Sequence, residues 1–147
     1  MRIALDSNFL LYAEGTNDAK RRDIARDIAR RLPFRESFVP VQALGEVFRV
    51  LTRKAGYSAE IARATILNMR DIYCPLETTE STLLAAMDLV ANHQFTIWNA
   101  IILSSAAEAN CRVLISEDMQ DGFVWRGLTI VNPFSAKRHP LLEAALS

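Results

Sequence analysis

The chain has 147 residues, 17 Lys and Arg against 17 Asp and Glu, and half of its residues are apolar. That length suits one domain with a core of its own, and a charged fraction of 23% excludes the composition of a disordered segment. Zero net charge argues against indiscriminate attraction to nucleic acid or membranes, and the longest apolar stretches fall far short of the about 20 residues that span a bilayer. Asp6 interrupts the N-terminal apolar run where a signal peptide needs continuity. Two cysteines, Cys74 and Cys111, and two isolated histidines, His93 and His139, lack the number and spacing of a zinc site or disulfide framework. The expectation is a soluble, cytoplasmic protein of a reducing compartment with no membrane association.

The even charge total hides an asymmetry. Lys20, Arg21, Arg22, Arg26, Arg30, Arg31 and Arg35 face only Asp23 and Asp27 within residues 20–35, a local net of +5. Residues 74–123 hold Glu77, Glu80, Asp88, Glu108, Glu117, Asp118 and Asp121 against Arg112 alone, a net of −6.

In chain order, Met1 to Leu5 reads as a buried strand that runs through Asp6 into a helix, with Ser7 and Asn8 available as caps. Asn17 or Asp18 caps a second helix through Leu32, with Ile24, Ala25, Ile28, Ala29 and Leu32 on its inner face; Pro33 interrupts it. Its basic face, with Asp23, Asp27 and Arg31 four residues apart, reads as solvated helix surface or as an RNA contact. Phe38 to Pro40 is a short strand. Val41 to Ala55 is a helix with Leu44, Val47, Phe48 and Leu51 inward, stopped by Gly56. Ser58 opens a helix to about Tyr73, and Cys74 to Glu77 follows as a strand. Thr79 caps a helix to Asn92, with Leu83, Leu84, Met87 and Val90 inward. The stretch from Ile97 to Asn110 is small and apolar all round, as expected of a buried helix. Arg112 to Ile115 and Leu128 to Val131 are the last strands, and Pro140 to Ser147 is a short helix or a loose tail. Strands alternating with helices predict an α/β fold with a mainly parallel sheet in a single domain.

No GxGxxG turn, P-loop or GxSxG elbow is present, so the chemistry rests on carboxylates. Asp6 ends the first strand and Asp118 follows the strand at Arg112–Ile115; in an open parallel sheet the carboxyl ends of neighbouring strands share one crevice. Glu46 sits near the apolar face of its helix, where a carboxylate is costly without a compensating cation. A cap or an ion pair accounts for any one of these acids. Together they predict a pocket of hard oxygen ligands suited to Mg2+ or Mn2+, in which phosphate chemistry is feasible.

The segments IALDSNFLLYAEG, VQALGEVFRVLTRKAG, TIWNAIILSSAAEANC and LISEDMQDGFVWRGLTIVNPF resemble the PIN-domain family. More narrowly they resemble the VapC ribonuclease toxins of type II toxin–antitoxin modules. The likeness runs from Ile3 to Phe134 with its blocks in the family's order. It implies a PIN-like domain over residues 1–134, with 135–147 as a C-terminal tail. It also implies Mg2+- or Mn2+-dependent endoribonuclease activity leaving 5′-phosphate and 3′-hydroxyl ends. The partners it implies are RNA, a VapB-type antitoxin that covers the site, operator DNA reached only through that antitoxin, and a second copy in a homodimer.

The resemblance assigns Asp6, Glu46 and Asp118 to catalytic and metal-binding positions. Where the family has a third Asp, in a W-D-A block, this chain has Trp98, Asn99 and Ala100. Asn99 keeps the size and a carbonyl oxygen of that ligand but not its charge, which predicts weaker metal binding and activity. Deliberate silencing of a toxic nuclease and natural divergence both account for it. Ser7, Ser116, Glu117 and Asp121 are accessory candidates: the serines as orienting groups or caps, Asp121 through water or as a turn residue. Trp98 is expected in the core, with base stacking as the alternative. A degenerate PIN protein that binds its antitoxin and aids operator repression without cleaving RNA is the second functional reading. A haloacid-dehalogenase-like phosphatase using Asp6 is the third, weakened by Asn8 at the position of the second acid.

Overall fold

The computed structural model describes residues 1–147. Its elements are β1 (Ile3–Leu5), α1 (Ser7–Glu14), α2 (Ala19–Arg31), β2 (Ser37–Pro40), α3 (Val41–Arg53), α4 (Ala59–Ile72) and β3 (Cys74–Leu76). They continue with α5 (Glu80–Asn92), α6 (Ile97–Glu108), β4 (Val113–Ile115), β5 (Val124–Trp125), β6 (Leu128–Val131) and α7 (Pro140–Leu146). The six strands form one sheet in the order β3-β2-β1-β4-β6-β5, parallel except for β5 against β6. This is the α/β single domain that the pattern of elements predicts.

The burial of the strands follows from the sheet being covered on both faces. Every residue of β1, β4 and β6 is buried, as expected of parallel strands whose crossovers lay helices on either side. The core gathers Ile3, Leu5, Phe9, Ile28, Leu51, Leu89, Ile102, Leu103, Leu114, Ile115 and Leu128, each almost wholly removed from water. α6 owes its position to composition: Ala100 to Ala107 is buried without interruption. No helix is long and apolar enough to cross a membrane.

Three features differ from the sequence expectation or refine it. Phe48 on α3 and Leu84, Met87 and Val90 on α5 are exposed and not inward, because α5 packs through Thr82, Ala85, Ala86 and Leu89. Val124–Trp125 forms an unforeseen edge strand, paired antiparallel with Leu128–Thr129. The two-residue turn between them has positive φ at Arg126 (49°) and Gly127 (79°), the geometry that matches the twist of a tight hairpin. Two residues are too few to show an alternating pattern. The C-terminal tail is a helix: Pro140 occupies its first turn, His139 Nδ1 accepts from the Leu141 N–H, and Leu142 and Leu146 enter the core.

The topology decides where a site can form. From β1 the chain builds outward through β2 and β3, then returns through α5 and α6 to β4 on the other side of β1. The order of strands therefore reverses between β1 and β4, and a crevice opens at their carboxyl ends. Leu5 pairs with Ile115, so Asp6 and Ser116 leave the sheet side by side.

Candidate functional site

Asp6 is the N-cap of α1. Its extended backbone (φ −85°, ψ 165°) lets Oδ1 accept from the Ser7 N–H at 2.7 Å. On the neighbouring strand end, the Ser116 hydroxyl donates to Asp6 Oδ2 at 2.6 Å. The carboxylate is 2% exposed. Burial pushes its pKa up from 3.8 to about 6, against the hydrogen bonds from Ser116 and Ser7; the charges of Glu46 and Asp118 push it up further. Ser7 and Ser116 are thus orienting groups on Asp6, one from each side.

Glu46 lies on α3, which begins directly after β2 and so carries its second turn back over the crevice. Burial raises its pKa; the side chains of Ser7 and Gln42 oppose that shift, and the charge of Asp118 adds to it. Asp118 itself is exposed at the turn after β4. The three acids therefore sense one another, and none of the chain's ion pairs includes any of them.

Two accessory candidates are occupied elsewhere. Glu117 accepts from Tyr12 Oη at 3.0 Å and pairs with Arg21 Nε at 2.5 Å, an arrangement that raises the Tyr12 pKa through burial and the Glu117 carboxylate. Arg21 also lies over the rings of Tyr12 and Phe134. Asp121 accepts from the Asn132 N–H at 2.9 Å and fixes the loop between β4 and β6. Both carboxylates serve the fold.

Asn99 is in the first turn of α6, where its backbone N–H donates to the Thr96 cap at 3.2 Å. The preceding Trp98 corrects the expectation of a core residue. It is 57% exposed and shares an open groove with Gln42, Gly45, Glu46 and Arg49. The inward side of α6 is filled by alanines, isoleucines and serines, which leave no room for an indole. Sequence reasoning also passed over Gln42 and Arg49, although their spacing of four before and three after Glu46 marks one helical face. Asn8, two residues after Asp6, has both side-chain amide atoms buried without a partner.

The fit of a metal ion can be tested on these groups. No three carboxylate, cysteine or histidine side chains converge closely enough to enclose an ion by themselves. Mg2+ does not require that enclosure: it keeps several waters and takes one or two carboxylates plus substrate oxygens. A buried Asp6 with a raised pKa, repelled by two further unpaired acids, is stabilised by a nearby divalent cation. The donor chemistry of Asp6, Glu46 and Asp118, three charged oxygens that sense one another, fits such an ion.

Comparison with known proteins agrees with this architecture. Structures similar to this one include a VapC toxin of Mycobacterium tuberculosis described as cleaving the sarcin–ricin loop (TM-score 0.68, 17% identity, covering 79% of this chain and 89% of that one). They also include a toxin–antitoxin complex from Klebsiella pneumoniae (0.67, 15%, 90% and 98%). A third is a VapBC complex from Rickettsia felis bound to a DNA fragment from its promoter (0.63, 12%, 88% and 97%). No curated protein matches the chain at a significant level. The family model for the PIN domain matches residues 3–120, a span that holds Asp6, Glu46, Asn99 and Asp118: the chain belongs to the PIN-domain family.

Proposed function

We propose that this PIN protein is the toxin of a type II toxin–antitoxin module and acts in the cytoplasm as a Mg2+- or Mn2+-dependent endoribonuclease. The observation that carries the reading is the electrostatic coupling of three acids at the β1/β4 reversal, Asp6, Glu46 and Asp118, none of them in an ion pair. A divalent ion held by Asp6, Glu46 and Asp118 would supply water activation and charge neutralisation for phosphodiester hydrolysis. The chain's own part is positional. Ser7 and Ser116 fix both oxygens of Asp6, Gln42 steadies Glu46, and Asp118 faces the solvent side from which RNA arrives. The products are a 5′-phosphate and a 3′-hydroxyl.

The toxin–antitoxin complexes among the structural relatives support an antitoxin of the VapB type as partner; operator DNA reached through it and a homodimer as the assembled toxin complete the proposal. Asn99 favours a second reading, a degenerate member that keeps antitoxin binding and has lost cleavage. One assay separates them: cleavage of total cellular RNA by this chain and by Asn99→Asp, each with Mg2+ and with EDTA. Restoring the charge is expected to raise the rate about 10–100-fold, and EDTA to abolish it. Cleavage that survives EDTA would sink the metal mechanism. No cleavage by either form would leave the binding-only reading standing.

A further inference from the structure

The groove beside the acids has a chemistry that the cleavage step does not use. Gln42, Gly45, Glu46 and Arg49 recur at i, i+3, i+4 and i+7 and form one face of α3. Trp98, from the first turn of α6, closes the other side of a space of about 320 Å³. The indole is 57% exposed, although α6 needs only a cap and small residues to form here. Gly45 stands mid-helix, where glycine costs about 0.5–1 kcal/mol relative to alanine. A Cβ there would meet nothing within 4 Å, so the glycine leaves an open floor next to the ring. Further along α3, Arg49, Arg53 and Lys54 line a second, smaller cavity with Val50. None of these three cations takes part in an ion pair.

Resting on the nuclease reading, we propose that this groove is a nucleobase subsite for single-stranded RNA. Trp98 is the stacking platform, and Arg49, Arg53 and Lys54 carry the phosphates leading away from the acids. An aromatic face beside a line of free cations is the combination that binds single strands, since every base has a π-face and every linkage a charge. A protein partner would instead meet an apolar stripe, and this groove has one ring among polar and charged side chains. The order along α3 gives the strand a direction. The scissile phosphate lies at Glu46, one base rests on Trp98 across the same groove, and the following phosphates meet the basic end.

The test is binding of a fluorescein-labelled oligouridine dodecamer, and of an abasic dodecamer with the same backbone, read by anisotropy in EDTA. Trp98→Ala is expected to weaken oligouridine about tenfold, the equivalent of about 1.4 kcal/mol. Trp98→Phe should stay within about threefold of the native chain, and the abasic strand should not distinguish the variants. Arg49→Ala should lower the slope of log affinity against log salt by about 0.7. Thermal melts of both Trp98 variants separate lost stacking from lost fold, and Trp98→Phe keeps the test decisive if the alanine variant unfolds.

Equal oligouridine binding by the native and Trp98→Ala chains overturns the subsite, as does an equal loss on the abasic strand. An altered molar mass in light scattering with unchanged RNA binding would assign the groove to a protein contact instead. The nuclease reading is judged separately, by cleavage of cellular RNA with the Asn99→Asp chain. Cleavage there that is unchanged by Trp98→Ala removes the subsite and leaves the nuclease.

Discussion

Helices α2 and α3 both carry arginines, and the helix with more of them has fewer to offer. On α2, Arg21 is held by Glu117 and Asp18, Arg22 by Asp23, and Arg30 and Arg31 by Asp27. Arg26 donates to the carbonyls of Ala13 and Glu14, closing the end of α1. Five of the seven cations of residues 20–35 are thus engaged within the domain, which favours the solvated-face reading of that helix over an RNA contact. On α3, Arg49, Arg53 and the adjoining Lys54 have no carboxylate partner. The acids divide in the same way: Glu117 has a cation partner, while Asp6, Glu46 and Asp118 have none. Local net charge and pairing therefore point to different surfaces.

The sharpest break of this comparison is on the acid side. Asp6→Asn is expected to reduce metal-dependent RNA cleavage by about 100-fold or more, measured with the Asn99→Asp chain as the active reference. Glu117→Gln keeps the shape and loses the ion pair; it should leave cleavage within about threefold and lower the melting temperature. If the two variants lose activity equally, pairing does not separate catalytic from structural acids here.

The unpaired acid also has a signature in stability. The Asp6 carboxyl titrates near 3.8 in the unfolded chain and at about 6 in the fold. Between those values the native state binds more protons than the unfolded state, so metal-free stability falls as pH rises from about 4 to about 6. The loss amounts to about 3 kcal/mol by pH 7, and Glu46, also raised, adds in the same direction. Urea melts in EDTA across that range should show the fall for the native chain and a much smaller one for Asp6→Asn. Mg2+ added at pH 8 should raise the melting temperature of the native chain and leave Asp6→Asn nearly unmoved. Stability that rises with pH over this window would contradict the burial of Asp6.

Much of this was legible in the chain itself. Short apolar runs at residues 3–5, 113–115 and 128–131, separated by helical periods, carry the parallel sheet, because buried strands need continuous apolar sequence. Asp6 and Asp118 were legible as strand-end acids because topology brings the carboxyl ends of neighbouring strands together whatever their separation in sequence. The engagement of Glu117 by Arg21 was not legible: it links residues 96 apart, and no local pattern encodes it. Nor was the exposure of Trp98. An aromatic residue next to a buried apolar block reads as core, and only the crowding of α6 against α5 and the sheet turns its second residue outward. The hairpin strand β5 was missed because two residues are too short for a period.

The basic side of the comparison is tested by salt. Replacing Arg49, Arg53 and Lys54 together by alanine should reduce the salt slope of oligouridine binding by about 2, at about 0.7 per phosphate contact on a single strand. Replacing Arg22, Arg30 and Arg31 together should change it by less than about 0.5, since each is ion-paired with Asp23 or Asp27. Equal slopes for the two triple variants would mean that exposure, and not pairing, decides which cations RNA meets.

The smallest effect isolates the shape of the groove from its charge. Gly45→Ala adds one methyl group to the middle of α3, in space that no atom within 4 Å occupies. Helix propensity alone then stabilises the chain by about 0.5–1 kcal/mol. The same methyl stands on the floor opposite Trp98, where a stacked base needs room, so oligouridine affinity should fall about threefold with the salt slope unchanged. A residue whose replacement strengthens the fold and weakens binding is one held for its ligand. Stabilisation with full affinity would instead show that the groove is open without being used, and that the free cations of α3 hold RNA by its backbone alone.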